Sequence, residues 1–446
     1  MPFLVVLQRA SAVHSEGRQQ LLREQGILDL LARLTSEANA VHQMDYQGME
    51  QSEPNIFLIC RLANALVKHA LRDNIPNCLY FQKYISFFQA QIGCGTDAVE
   101  VLLALHKDNK ELLDKLARDS FKTWTVLMED AMKSGRIEGR IASSTNFLSY
   151  TCVANVNRKE VSIRDNQSAI LEYLFQPQIA EPSERKTANC LVCNFTGTGG
   201  SIQVKDVFTS DGHGHGHAEK EPVEGEPVKE ASTGRWVDLK DLFSPDLDTA
   251  MSVLPKESRK IGILREIQEY IIGSINLYSN ICAGRNNESI AAITIKFPKD
   301  VVLSMIMEER KGCERLRAAF CGLFVRLYVD CGDRTDASPV RLTRVWDDVD
   351  ESKIDTLVPM DEEPFVALKA WVVRFLSEKI TTEMVCDLAS MSHNTMVVAV
   401  IKMAFRMLQF HCYCRQESLK ELLTPLLRIL DGTTDNLGQD GDMSVT

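Results

Sequence analysis

The sequence lacks a long uninterrupted apolar run and a basic leader segment. Its longest apolar stretch, from Met396 to Leu408, is interrupted by Lys402 and Arg406, so it does not match a membrane-spanning helix. The apolar residues after Met1 follow no basic segment and form too short a run for a secretory signal peptide. We therefore expect no membrane span and no secretory leader in these 446 residues.

Basic residues are also in short supply. The chain has 50 lysines and arginines against 61 aspartates and glutamates, a formal net charge of −11. A nucleic-acid-binding protein normally carries a basic field that attracts phosphates. We therefore predict no nucleic-acid partner, and the sequence has no dense basic cluster for an anionic membrane.

Cysteines are present, but they lack the spacing of a disulfide framework. There are 13, an odd number, and several of them, including Cys60, Cys152 and Cys282, fall inside apolar helical patterns. In such a position a free thiol behaves as a small hydrophobic group. This usage is typical of a protein in a reducing compartment.

Motifs for catalysis are lacking as well. The run Gly197–Gly200 has no lysine behind it and is not a Walker motif, and the helical pattern leaves no strand for a phosphate-binding loop to follow. The sequence also has no serine nucleophile elbow and no His-Glu-x-x-His pair. We predict that the protein is not an enzyme, with no catalytic residue and no cofactor.

Three cysteine- and histidine-rich stretches have spacings that bear comparison with metal sites. Cys190–Cys193 has the separation of a zinc pair, and His213–His217 alternates three histidines with glycines. A structural zinc site needs a second close pair, and the glycines give the histidines no fixed geometry. Cys412–Cys414 is spaced too closely for a usual zinc pair. We interpret 213–217 as low-complexity sequence and predict no metal site.

Apolar residues recur with helical periodicity through most of the chain. Representative stretches are Arg18–Leu34, Asp97–His106 and Thr395–Phe410. Helix pairs recur at intervals of about 35 to 50 residues, on the order of the repeat lengths of helical solenoids. The predicted fold class is all-α, an armadillo-like α-solenoid in two helical blocks separated by a disordered insertion.

The predicted boundaries follow changes in composition. Residues 1–178 form a first helical block, and 179–243 form a flexible insertion rich in glycine and glutamate. Within this insertion, 202–208 is expected to contribute to one short ordered piece. Residues 244–431 form a second helical block, and 432–446 form an acidic disordered tail.

The best-defined helix runs from Leu316 to Asp330. Its apolar residues repeat at i, i+3, i+4 and i+7, while Arg317, Gly322 and Arg326 lie on the opposite side. A helix of this kind buries its apolar stripe against neighbours. The pattern therefore predicts a packing element and not a catalytic one.

Several motifs in and around this helix resemble a known family. They are Asn276–Tyr278, Arg285–Asn286, Leu316–Cys321, Val329–Asp330 and Ser338–Trp346. They look like the cytosolic helical region that inositol trisphosphate receptors and ryanodine receptors share, and the spacing between them also fits. These receptors are calcium-release channels of internal membranes.

The resemblance implies a function for the chain. It implies a cytosolic solenoid segment of an intracellular calcium-release channel subunit, which couples an N-terminal sensing region to a pore outside this chain. It further implies calcium transport at the cytoplasmic face of the endoplasmic reticulum or another internal membrane. The implied partners are the other channel subunits, in a homotetramer.

The resemblance also yields one candidate ligand-binding residue, Arg23. In inositol trisphosphate receptors an early helix of this region presents three basic residues to the phosphates at i, i+4 and i+7, the last followed by Glu-Gln. The matching positions here are Glu16, Gln20 and Arg23, followed by Glu24–Gln25. A second ligand cluster of the receptors matches Asn74–Pro76, which holds no cation. The resemblance therefore does not carry ligand binding over, and Arg23 is better interpreted as a surface or interhelical ion-pair residue.

An alternative function stays open on the residues alone. A stand-alone helical scaffold or regulatory protein of the same fold would present its solenoid surface to a protein partner. The part of the gene downstream of the Thr446 codon discriminates between the two. Several apolar helices and a pore encoded there would favour the channel, and a stop would favour the scaffold.

Overall fold

The computed structural model describes fourteen stretches of the chain. They are residues 12–45, 54–92, 96–116, 118–133, 141–157, 159–175, 195–198, 201–205, 236–254, 259–310, 312–332, 365–382, 391–413 and 415–430. The chain divides into two compact units. Unit 1 comprises Met1–Phe195, Gln203–Leu242 and Asp248–Ser289, and unit 2 comprises Thr196–Ile202, Phe243–Leu247 and Ile290–Thr446.

Unit 1 is mainly helical. Its helices are α1 (Ala12–Glu24), α2 (Ile27–Asp45), α3 (Pro54–Leu71), α4 (Ile75–Phe81), α5 (Ile85–Ala90), α6 (Ala98–His106), α7 (Lys110–Leu113), α8 (Arg118–Lys133), α9 (Ile141–Thr151), α10 (Arg164–Phe175), α11 (Leu239–Leu242), α12 (Leu247–Ser252) and α13 (Ile261–Ile281). Helix α3 packs on α2 and α6, and α9 packs on α6, α8 and α13. Thus α13, which follows the predicted insertion in sequence, packs with a helix that precedes it.

The described residues also form short strands, although the sequence pattern predicted none. They are β1 (Val153–Val156), β2 (Lys159–Ser162), β3 (Phe195–Thr198), β4 (Ser201–Lys205) and β5 (Trp236–Asp238). Strands β1 and β2 form an antiparallel hairpin, with Val153 opposite Ser162, and β4 pairs antiparallel with β5. Strands of three to five residues are too short to produce a readable alternation of apolar and polar residues, which explains the missed prediction.

Unit 2 is helical in its longer described stretches. Its elements are α14 (Asn287–Lys296), α15 (Lys299–Ile306), α16 (Glu314–Phe324), a π-helical segment (Val325–Val329), α17 (Val366–Thr382), α18 (Met391–Gln409) and α19 (Gln416–Leu430). Helix α16 packs on α15 and α18, and α17 packs on α19. The predicted helix from Leu316 to Asp330 is therefore present, with its last turn widened into the π-helical segment.

The expected all-α, solenoid-like fold is confirmed by the packed helices. The domain boundaries stay predictions. Most of the insertion, including Cys190–Cys193 and His213–His217, lies outside the described residues, as does the tail from 432. Of the piece expected at 202–208, the part up to Lys205 belongs to strand β4.

The ends of the first helices follow from local chemistry. Gly26 adopts a φ of 68° between α1 and α2, a conformation that costs little only for glycine. Asn74 caps α4 by accepting a hydrogen bond from the backbone N–H of Asn77 at 3.0 Å, and Pro76 stands in the first turn, where its missing N–H is not needed. These signals turn the chain sharply between α3 and α4.

The core of unit 1 includes an aromatic cluster formed by Trp124, Phe147 and His106. The rings of Trp124 and Phe147 stack with centroids 4.1 Å apart, and His106 meets Phe147 edge-on at 5.2 Å. His106 donates its Nδ1–H to the carbonyl oxygen of Leu102 at 2.9 Å. Burial lowers the pKa of His106 to about 4, so the ring is neutral at pH 7.

Candidate functional site

The structure brings Arg23 next to the corner between α3 and α4. Arg23 is half-buried on α1, and its Nη1 donates to Oδ1 of Asn77 at 3.1 Å. Glu16 and Gln20 are exposed, and Gln20 donates to Glu24 of its own helix at 2.7 Å. Arg23 thus contacts the segment after Asn74 through the neutral side-chain amide of Asn77.

Beneath Arg23 lies a buried group that the sequence reasoning missed, the Gln19 network, formed by Gln19, Asn74 and Asn77. Gln19 donates its amide hydrogens to the carbonyl oxygens of His69 at 2.8 Å and Arg72 at 2.9 Å, and its Oε1 accepts from Asn74 at 3.1 Å. The two carbonyls belong to the C-terminal end of α3, where a helix leaves its last carbonyls without partners. A side chain of α1 therefore caps α3.

Asn77 completes this network. Its amide donates to the carbonyl oxygens of Gln19 at 2.9 Å and Ala70 at 2.8 Å, while its Oδ1 accepts from Arg23. Asn77 is fully buried, and each of its side-chain polar atoms is bonded within the chain. These hydrogen bonds hold α1 against α3 and α4. Separating the helices would leave buried amide groups without hydrogen-bond partners, which costs free energy.

A second group, the Gln167 network, lies at the end of α13 and consists of the buried Gln167 and Asn286, the partly buried Asn280 and the exposed Arg164. The Nε2 of Gln167 reaches the carbonyl oxygens of Asn280 at 2.9 Å, Ala283 at 3.2 Å and Cys152 at 3.4 Å. Its Oε1 accepts from Asn286 at 3.4 Å. Since Asn280 and Ala283 stand where α13 ends, the start of α10 caps α13 from outside.

The other members of the Gln167 network extend this cap. Arg164 donates to the carbonyl oxygen of Gly284, and Asn280 donates to Ser149 of α9, at 3.0 Å to the hydroxyl and 3.2 Å to the carbonyl. Gly284 has a φ of 66°, and a Cβ there would collide with Oγ of Ser162. The motif Arg285–Asn286 thus lies at the point where α9, α10 and α13 meet.

In unit 2, Arg317 makes a comparable contact from α16. It is 6% exposed, and its Nε donates to the carbonyl oxygen of Ile306, the last residue of α15, at 3.0 Å. Its guanidinium lies 5.5 Å from the ring centroid of Trp371 and 5.9 Å from that of Phe375. Helix α16 is therefore buried at Arg317 too, although this residue lies opposite the apolar stripe. The aromatic rings of α17 cover it there.

The described residues offer no metal-binding group. Within the stretches that the structure describes, no three His, Cys, Asp or Glu side chains gather in a way that would hold an ion. Cys412 is buried, and Cys414 lies outside the described residues. Among the helices that the structure describes, none combines the length and the apolar character that a membrane crossing requires.

These observations define the class of the protein as helical and solenoid-like, with buried polar side chains that cap helix ends. Residues 6–181 match the RIH domain, the family described as RYDR_ITPR. The match supports the resemblance of this part of the chain to the homology region of the inositol trisphosphate and ryanodine receptors. The RIH domain is a cytosolic region of a channel receptor family.

The matched residues cover α1 to α10 and include the Gln19 network and residues 164 and 167 of the Gln167 network. They do not include α13 or α16. The more specific likeness of Leu277–Trp346 to the receptors therefore stays a prediction.

Proposed function

We propose that the chain is a cytosolic segment of an intracellular calcium-release channel subunit. The observation that carries this proposal is the RIH domain at residues 6–181. In this proposal the segment couples an N-terminal sensing region to a pore outside the chain, and calcium transport belongs to the whole channel. Its location is the cytoplasmic face of the endoplasmic reticulum or another internal membrane, and its partners are the other subunits of a homotetramer.

The Gln167 network supports a coupling role. It joins α10, the last helix within the matched residues, to the C-terminal end of α13, which lies outside them, through the carbonyls of Asn280 and Ala283. A rotation of α10 would break these hydrogen bonds together, because one amide group makes three of them. Coupling between distant sites requires packed helices with two discrete arrangements, and in this proposal the contact between α10 and α13 is where the arrangement changes.

Arg23 remains a proposed ligand contact. It supplies one guanidinium at the surface of the Gln19 network, and the neighbouring exposed position 16 is a glutamate that repels phosphate. Arg23 alone would therefore give weak binding of an inositol phosphate.

The proposal is tested by sequencing the transcript and by experiments in cells. The full-length transcript is sequenced through both ends of this reading frame, and the endogenous protein, tagged, is located and assayed for calcium release from internal stores. The proposal expects apolar helices and a pore in the full-length protein, residence on internal membranes, and altered calcium release on depletion. A complete reading frame with no pore and no effect on release would overturn it in favour of a helical scaffold.

A further inference from the structure

Two tyrosines and an aspartate of unit 1 form what we call the tyrosine cage: Tyr80, Tyr84 and Asp29. Tyr80 donates to Oδ2 of Asp29 at 2.5 Å, and Tyr84 donates to Oδ1 at 2.7 Å. Tyr84 is backed by the buried ring of Phe81, with centroids 4.9 Å apart. The carboxylate of α2 therefore holds both rings of the α4–α5 region in fixed orientations.

The tyrosine cage contains a cation. The ammonium of Lys83 lies 4.2 Å from the ring centroid of Tyr80 and 5.1 Å from that of Tyr84, and 2.9 Å from Oδ1 of Asp29. Two aromatic faces and a carboxylate around one ammonium are the arrangement by which proteins bind choline-like and methyl-lysine ligands. The cage is separate from the Gln19 network and from Arg23.

Asp29 and Lys83 both keep their charges at physiological pH. Burial by itself raises the pKa of Asp29, but the hydrogen bonds from Tyr80, Lys83 and Tyr84 outweigh it and hold the pKa at about 2. The hydrogen bond to Asp29 raises the pKa of Lys83 to about 12. The carboxylate and the ammonium are thus both charged throughout the physiological range.

The cage is open to solvent. The side chain of Lys83 is 48% exposed and that of Asp29 is 29% exposed, so Lys83 can leave by rotating its own side chain. Exposed ion pairs and exposed cation–aromatic contacts each contribute little, so the need to displace Lys83 weakens the binding of an incoming cation by a factor on the order of ten.

We propose that the tyrosine cage is a binding site for an alkylated ammonium group, such as that of methylated lysine or choline, and that Lys83 occupies it in the absence of that ligand. The occupant displaces Lys83 and places its charged methyl groups against the two rings. An alkylated cation competes well there because it is less strongly hydrated than the lysine ammonium, while its attraction to the ring faces persists.

The test uses the full chain and tetramethylammonium as the probe, titrated by NMR on the tyrosine ring signals or by calorimetry. Wild type is expected to bind weakly, and Lys83→Ala up to about tenfold more tightly, since the competing ammonium is gone. Lys115→Ala removes another exposed lysine of unit 1, which pairs with Glu111 at 2.7 Å, and should bind as wild type does.

A pair of substitutions at Tyr80 separates the aromatic face from the hydrogen bond. Tyr80→Phe keeps the ring and should bind the probe, whereas Tyr80→Leu keeps apolar bulk and should lose most binding. Circular dichroism and thermal unfolding verify that both variants fold. The proposal is overturned if Lys83→Ala binds no more tightly than wild type, or if Tyr80→Leu binds as well as Tyr80→Phe.

Separate titrations with trimethyl-lysine and with choline identify the source of the ligand. Both carry the same quaternary ammonium, so tighter binding of trimethyl-lysine assigns the site to a modified protein chain and tighter binding of choline to a free metabolite or headgroup. Failure of both to bind Lys83→Ala would also overturn the proposal.

Discussion

The two units cap the C-terminal ends of their helices with different kinds of side chain. In unit 1, Gln19 caps the end of α3 and Gln167 caps the end of α13, both through uncharged amides. In unit 2, Arg317 caps the end of α15 with a guanidinium that also lies against two aromatic rings. Burying an amide costs less than burying a charge, but the charge gains cation–aromatic attraction in return.

This difference has a physical consequence. The amides of Gln19 and Gln167 in unit 1 are uncharged, so the caps that they form should respond weakly to salt, and acid should act on unit 1 through the buried His106. The capping contact of unit 2 depends on a cation that remains charged at all accessible pH values. Four predictions, ordered by expected effect, test this comparison.

Acidification should have the largest effect, and it should act on unit 1. The unfolded chain binds a proton at a His pKa near 6.5, whereas burial lowers the folded pKa of His106 to about 4. Between pH 4 and pH 6.5 the unfolded state therefore binds more protons than the folded state. The contribution of His106 to the free energy of unfolding is fully present above pH 6.5 and is lost as the pH falls toward 4. The loss from this group is about 3 kcal/mol.

Urea unfolding of wild type and His106→Phe at pH 7 and pH 4 measures this effect. The variant keeps an aromatic ring but cannot be protonated, so its stability should fall less between the two pH values. An equal fall in both proteins would contradict the assignment to His106.

Substitution of Gln167 by Leu should have the next largest effect. Three carbonyl oxygens and Asn286 lose the hydrogen bonds that Gln167 makes. Two of these four are long, at 3.4 Å, and a buried neutral hydrogen bond contributes about 1 kcal/mol, so we expect a loss of about 2 to 3 kcal/mol. Hydrogen exchange should also accelerate at the end of α13. Gln82→Leu, at an exposed position of the same unit, should leave the unfolding midpoint almost unchanged.

Substitution of Arg317 tests the connection in unit 2. Arg317→Ala removes the hydrogen bond to Ile306 and the contact with Trp371 and Phe375, at an expected cost of about 2 kcal/mol. Arg317→Lys keeps the charge but loses the planar stacking, so it should recover only part of this stability. Arg310→Ala, at an exposed site, is the matched control; similar destabilisation by both alanine variants would refute a special role for Arg317.

Arg23 should show the smallest effect. Its hydrogen bond to Asn77 is half-exposed, so Arg23→Ala should cost less than about 1 kcal/mol in thermal unfolding. As a proposed ligand contact, it should also weaken any binding of inositol trisphosphate, whereas Arg18→Ala on the same helix should not. If the two variants bind the ligand equally well, Arg23 is not a ligand contact.

Much of the fold was predictable because helical periodicity is a local property. The stripe from Leu316 to Phe324 and the stop near Asp330 are readable from spacing alone, and both are present. The β1–β2 hairpin was not predictable, since four-residue strands carry too little pattern. The Gln19 network was missed because a polar residue on an amphipathic helix normally faces solvent.

The candidate site likewise contains residues that the sequence singled out and residues that only the structure revealed. The resemblance singled out Arg23 and the segment Asn74–Pro76 separately, and the structure adds that Arg23 donates to Asn77. Nothing in the sequence distinguishes Gln167, which is buried, from Gln82, which is exposed. Burial depends on residues more than 100 positions away, such as Asn280.

The amino-acid sequence by itself determined the helical class and the helix from Leu316 to near Asp330, because periodicity and helix-end signals act over a few residues. Only the tertiary structure decided which side chains cap which helix ends and that Lys83 sits between two tyrosines. A helix end needs a donor, but it does not specify from where in the chain the donor comes.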